Sequence, residues 1–536
     1  MHGRIQRRLP SIDASSDVSI GLIKGWLREC DERHDACRQI KPPKLPTRVI
    51  DVSGEVPRLV ATRGISDEYI ALSHCWGDPN TCKPPLKTDT MSLEARLQGI
   101  DMHELPQNFR DAITLTRNLG FRYIWIDSIC IIQDSPLDWE AEAARMADVY
   151  KGSYLTVAAT SAVSSHDGFL KRSPRMQQLV KVPYHHEGSD NPDEHFYLCL
   201  TDARWAENSF DKYIEDSVWN QRGWTFQERL LPKRVLHFAK DVFCLECRSR
   251  DYTEDNRPAL ASVNRTPWLE NDGPRLQSEE VAASSREDRL YRRWYTLVER
   301  YALRDFTYAK DKLPAIVGLA QEMAGFLGDV YMDGLWKKDL SRGLMWNTID
   351  YGHIKLHSNR APSWSWAHFD GHINWTSSLE VDLRSEQYIC GFTLLESTTG
   401  IETADQVART CGRIKVSGKV MDISAALRQA LEGLTQTHDI MLQNVKIGEG
   451  ALDLKDTSYI KPGLRAFLVH HEIASSPNKT SFRYPSGLLL EMTQACFNEY
   501  RRVGTFILRP FYFEDAWHDA QINLFDHCPT EIFTLV

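Results

Sequence analysis

Long apolar runs are missing from this chain of 536 residues. None approaches the roughly 20 residues that a helix needs to cross a bilayer, so no membrane span is expected. The basic N-terminus, MHGRIQRRLPSIDASSD, has no apolar segment behind it of the kind a secretory signal requires. Positive charge is not in excess either: the net charge of −9 argues against nucleic acid as the main partner. Internal repeats and low-complexity tracts are absent, which sets aside repeat architectures. Twelve cysteines are scattered over a long chain without a signal peptide, so reduced thiols and a cytoplasmic location are expected.

Metal-binding patterns are sparse. Cys30, His34 and Cys37 have i, i+4, i+7 spacing, and Cys244 and Cys247 form a CxxC. A closed zinc site takes four ligands, and its pairs normally recur at regular spacing. The CxxC lies inside VFCLEC, where strand alternation turns the two thiols to opposite faces. The first three residues share a helical stripe that can simply pack, with the thiols acting as small hydrophobes. Neither a metal nor a resident cofactor is therefore expected.

What the chain does have is the composition of a globular protein, 42% hydrophobic and 26% charged, at a length that calls for two or three domains. Residues 18–38 read as an amphipathic helix. Between 69 and 160 strands alternate with helices. YIALSHC is a strand, Pro106 opens a helix that Gly120 closes, YIWID (123–127) is a doubly buried strand, and YLTVAAT (154–160) is another. Such alternation indicates βαβ units and a doubly wound parallel sheet. SVWNQRGWTFQERLLP reads as one helix that Pro232 helps to end. RVLHFAKDVFCLECR follows as a hairpin turning at residues 239–241. The expected division is a helical extension over 1–68, an α/β domain over 69–247 and a linker over 248–287. A helical region over 288–375, with Leu290, Trp294, Leu297 and Tyr301 on one stripe, and a β-rich part over 376–536 complete it.

The string ALSHCWGD (71–78) puts polar and reactive groups at the end of a packed strand. In doubly wound sheets ligands sit beyond the carboxyl ends of the strands. Ser73 to Gly77 and Asp127 all fall there, so they are candidates for a pocket edge. Ser73 has no sequence-adjacent base, and no Ser-His-Asp order stands out. Cys75 beside His74 does not make a thiol pair, because strand neighbours face opposite ways.

Three blocks then fit one family. YIALSHCWG, the stretch from LPQNFRDAITL to YLTVAAT, and WNQRGWTFQERLLPKRVLHF resemble, in order and spacing, the fungal heterokaryon-incompatibility (HET) domain over about residues 69–230. WLRECDERHDAC before it, and DKLPAIVGLA and APSWSWAHFDG after it, resemble the flanks of long HET proteins. His74 departs from the Tyr more common in the family. The resemblance implies a role in fungal non-self recognition and regulated cell death. HET domains have been likened to TIR domains, which are flavodoxin-like, and some of those cleave NAD. NAD is on that reading a substrate, not a cofactor. TIR enzymes that hydrolyse it carry a Trp followed four residues later by the catalytic Glu, a spacing that Trp224 and Glu228 match. Ser73 and Trp76 would then hold ribose and base, Arg222 a phosphate, and Gly77 would let the backbone approach the ligand. Plainer roles stand beside these: Glu228 pairing with Arg222 or Arg229, Asp127 orienting its loop, Trp76 anchoring the packing. Two function classes remain open, a nucleotide-consuming effector and a non-catalytic module acting through protein partners or self-association. Recruitment of the fold to a metabolic reaction is a third.

Overall fold

The computed structural model describes residues 8–172, 179–183, 195–199, 213–256, 285–349, 355–357, 359–375, 388–398, 412–423, 437–442, 445–453, 463–475, 481–494, 496–508 and 525–536. The chain divides into two compact units, Met1–Gly273 and Pro274–Val536.

Unit 1 opens with α1 (Asp17–Arg33), whose N-cap Ser16 accepts from the backbone N–H of Ser19. Its buried stripe is Ile20, Ile23, Trp26, Leu27 and Cys30, as the periodicity predicts. The helix stops at Arg33, and His34 is extended backbone leading into a 3-10 turn at Asp35–Cys37. Cys30, His34 and Cys37 therefore do not share one helical stripe. Strands β1 (Arg48–Asp51) and β2 (Arg58–Ala61) follow, then β3 (Tyr69–Ser73), α2 (Leu93–Gln98) and α3 (Gln107–Leu119). Pro106 caps the start of α3, and Gly120, at φ +94°, closes it. After β4 (Tyr123–Trp125) come α4 (Asp127–Cys130), α5 (Pro136–Gly152), β5 (Leu155–Ala158) and the two-stranded ribbon β6 (Leu179–Pro183) and β7 (His195–Cys199). The unit continues with α6 (Val218–Gln221), α7 (Thr225–Leu230), β8 (Arg234–Phe238), β9 (Phe243–Cys247) and β10 (Asp251–Thr253).

Eight of these strands form one sheet in the order β10-β9-β8-β5-β3-β4-β1-β2. The middle four are parallel: β3 lies between β4 and β5, with Tyr69 opposite Tyr123 and Ile70 opposite Leu155, and β8 extends β5. The runs YIALS and YIWID are thus parallel neighbours, as their double-sided apolarity predicts. The sheet is mixed, however, not parallel throughout. β1 and β2 add antiparallel strands beyond β4, and the β8–β9 hairpin and β10 add antiparallel strands on the other side. Short loops explain the β1–β2, β8–β9 and β9–β10 pairs, since a hairpin can return only antiparallel, whereas β1 meets β4 across a long stretch of chain. The sheet accordingly begins ahead of residue 69 and continues past 247, into a stretch that reads as linker.

One expected helix is two. SVWNQRGWTFQERLLP breaks at Arg222, whose backbone is extended. The Thr225 hydroxyl lies 2.8 Å from the carbonyls of both Trp219 and Arg222, taking acceptors that a continuous helix would have used.

In unit 2, the helices α8 (Arg286–Ala302) and α9 (Pro314–Leu327) bury Leu290, Trp294, Leu297 and Tyr301 on one side of α8, the stripe the sequence predicts. Trp294, Trp336, Trp346, Trp364, Trp366 and Trp375 are fully buried. Much of this protein's tryptophan is therefore core. A nine-stranded sheet of residues 388–535, antiparallel except where Glu499–Ile507 meets Thr530–Leu535, makes the C-terminal part β-rich as expected.

Candidate functional site

The order of the parallel strands locates the site. From β3 the chain passes to β4 on one side and then crosses to β5 on the other. Connections thus diverge at the carboxyl ends of β3 and β5, where open α/β sheets leave a crevice. Ser73 is the last residue of β3, opposite Ala158 on β5.

Around Ser73 a buried polar group assembles from four segments. Its hydroxyl donates to Glu228 Oε2 on α7, and Trp219 Nε1 on α6 donates to the same hydroxyl at 2.7 Å. Tyr150 from α5 hydrogen-bonds Glu228 as well, and its hydroxyl lies 3.2 Å from the Leu72 carbonyl. The break between α6 and α7 is what permits this, because it lets Trp219 and Glu228 approach Ser73 from different directions. Glu228 is only 6% exposed. Burial lifts its carboxyl from an ordinary 4.5 to about 7, against the opposing pull of the Ser73 hydrogen bond and the Arg222 charge. The nearby Asp127 carboxylate raises it further.

Asp127 begins α4 at the end of the neighbouring strand. It accepts from Trp76 Nε1 at 2.8 Å and from the Ser128 N–H at 2.7 Å, and its side chain keeps 22% exposure. The Lys87 ammonium sits 4.8 Å from the centre of the Trp76 ring. Arg222 donates to the His74 carbonyl at 2.5 Å and also reaches Cys75. Gly77 has φ +101°, and a Cβ there would stand 2.7 Å from Cys82 Cβ, so this turn needs glycine. Trp224, the N-cap of α7, packs half-buried against the core.

Behind Glu228 lies a second polar layer. Arg229 makes a two-pronged pair with Glu246 on β9, at 3.0 and 2.7 Å, and also binds Glu215 at 2.7 Å. His237 on β8 bridges Glu246 and Thr160, both at 3.0 Å, and meets Trp219 edge-on. Glu246 lies well below the usual carboxylate range: burial opposes ionisation, but the Arg229 and His237 charges overcome it. Here Arg229 takes Glu246, not Glu228, as its partner, which leaves Glu228 free to face Ser73.

The structure brings Ser73, Trp76, Asp127, Arg222 and Glu228 together, with Gly77 in the turn after Trp76, while Trp224 packs against the hydrophobic core. Sequence reasoning missed Trp219 and Tyr150, because a tryptophan in a short helix and a tyrosine on a long one carry no local sign of what they face. His74 belongs to the Ser73–Gly77 stretch that the sequence places at the pocket edge. It is 3% exposed and packs edge-on against Phe109, and neither ring nitrogen has a hydrogen-bond partner among the described residues. Burial drives its pKa from 6.5 down to about 4, although Asp127 lies 3.9 Å away. It is therefore neutral at neutral pH. Cys75 points the other way, into a small apolar group with Trp219 and Cys244.

No curated protein and no solved structure matches the chain. The family model described as heterokaryon incompatibility protein (HET) matches residues 69–228, a segment that begins with the first residue of β3 and ends at Glu228 itself. The Ser73–Glu228 contact thus joins the two ends of the matched segment across the sheet, and the chain carries a heterokaryon incompatibility (HET) domain over residues 69–228.

Proposed function

We propose that the HET domain cleaves the N-glycosidic bond of an NAD-type dinucleotide, and that the protein acts in this way in fungal non-self recognition and regulated cell death. The observation that carries the reading is Glu228: a buried carboxyl, held by a serine hydroxyl at the divergence point of a parallel sheet and poised near neutrality. The middle strand order, with the first strand second in line, is that of flavodoxin-like sheets, which supports the likeness to TIR enzymes.

The chemistry needs few groups. The bond between the ribose anomeric carbon and the nicotinamide nitrogen breaks, and its electron pair leaves with neutral nicotinamide. The ribosyl centre becomes oxocarbenium-like, and the ionised Glu228 stabilises that charge. Water then attacks the anomeric carbon and releases a proton. The positive nicotinamide ring would itself favour the ionised form of Glu228 on binding. Ser73 and Trp219 fix the carboxylate, Trp76 and Asp127 offer ribose and base contacts, and Arg222 suits a phosphate.

Incubating the full chain with NAD and separating nicotinamide by chromatography tests this. Release that Glu228→Gln abolishes supports it. Absence of release, with Glu228→Gln still killing a fungal host at full strength, would establish the alternative of a non-catalytic module that works by self-association.

A further inference from the structure

Outside that cluster, unit 1 gathers a second set of reactive side chains. The Sγ atoms of Cys30, Cys37 and Cys247 and a ring nitrogen of His34 all lie within 4.8 Å of one another. The three cysteines are buried and His34 is half-buried. On a continuous helix Cys30 and Cys37 would be separated by about 10 Å along the axis. The stop at Arg33 and the 3-10 turn after it fold Cys37 back under Cys30, and β9 delivers Cys247 from more than 200 residues later. His34 Nδ1 lies 3.3 Å from Cys247 Sγ. Ligands held tetrahedrally at zinc–sulfur and zinc–nitrogen bond lengths stand about 3.5–3.8 Å apart, so this set matches a single small ion.

The surroundings suit thiolates. The Arg250 N–H donates to Cys247 Sγ at 3.3 Å, the Arg248 N–H reaches Cys37, and Arg234 Nε lies 3.2 Å from Cys30 Sγ. Three thiolates and a neutral imidazole around a divalent ion leave one negative charge, and the buried Arg234 guanidinium lies against it. Strand alternation does turn Cys244 away, into the apolar group with Cys75. The missing ligand came from elsewhere: Cys247 alone joins the N-terminal trio.

We propose that Cys30, His34, Cys37 and Cys247 bind one zinc ion, which ties the end of α1 to the end of β9. Four protein ligands close the coordination sphere, so the ion is structural and leaves no position for substrate. It braces the hairpin whose other residues, His237 and Glu246, back the HET-domain site.

Elemental analysis of the full chain, purified under reducing conditions from zinc-supplemented medium, should find one zinc per chain. Replacement by cobalt should give the intense visible bands of a tetrahedral sulfur-rich site. Cys37→Ser and Cys247→Ser should each weaken metal retention against a chelator by roughly tenfold or more, whereas the exposed Cys390→Ser should leave it unchanged. A folded wild-type chain free of metal overturns the proposal whatever the variants do. So does a disulfide among these three cysteines, seen as a loss of two hydrogens in the intact mass, or iron accompanied by inorganic sulfide.

Discussion

Replacing Glu228 by glutamine should stabilise the protein above neutral pH while removing its proposed chemistry. Glutamine keeps the size of the side chain and can still accept from Ser73, but it has no charge to bury. For the wild type the sign is as follows. Below pH 4.5 the carboxyl is protonated in both the folded and the unfolded chain, and it contributes no pH dependence. Between 4.5 and about 7 the unfolded chain has released the proton that the folded chain still holds, so stability falls as pH rises. Above 7 the full cost of a buried carboxylate remains. At about 1.36 kcal/mol per tenfold change, the interval from 4.5 to about 7 corresponds to a penalty of about 3 kcal/mol. The stability of the Gln variant relative to wild type should therefore increase by that order between pH 4 and pH 8. The buried His74 acts in the opposite sense on acidification, but it is present in both proteins and drops out of the difference. Urea unfolding of the full chain, read by hydrogen-exchange mass spectrometry on peptides from β5 and β8, isolates unit 1. A difference that stays flat across that range refutes the assignment of a proton-holding carboxyl to Glu228.

If NAD is the substrate, Glu228→Gln should lower nicotinamide release by roughly a hundred- to a thousand-fold, while Ser73→Ala should act mainly on KM; the two are compared in steady-state assays. Glu246→Gln strips the Arg229 guanidinium and His237 of their shared anion and should cost about 3–5 kcal/mol, read as a lower urea midpoint for unit 1. His74→Phe should keep the edge-on packing on Phe109 and remove a histidine whose pKa is pushed down to about 4. In the wild type that group costs stability as pH falls from 6.5 toward 4, so the variant should outlast it in acid unfolding and match it near pH 8. Stripping zinc with a chelator should lower the unfolding midpoint of unit 1, monitored by the same peptides.

Periodicity alone determined the parallel pair of YIALS and YIWID, the helix from Pro106 to Gly120, the β8–β9 hairpin and the buried stripe of α8. Each is local: a repeat of two or 3.6 residues, a proline or a glycine at an end. Placing Ser73 and Asp127 at strand ends followed from the same signals. What no window of sequence could contain was which distant side chains meet. Ser73 faces Glu228 across 155 positions, with β4, β5 and the helices between them lying in the intervening chain, and the Thr225 hydroxyl takes acceptors from a helix that looked continuous. On the antiparallel flanks the β8–β9 hairpin was legible, whereas β2 and β10 are four and three residues long, too short for a period to register. The metal ligands show the same division. Sequence spacing put Cys30, His34 and Cys37 on one helix, and strand alternation separated Cys244 from Cys247. Only the folded chain, by ending α1 at Arg33 and returning β9 beside it, brought three thiols and an imidazole to one point, since convergence is a property of the path between elements and not of the elements themselves.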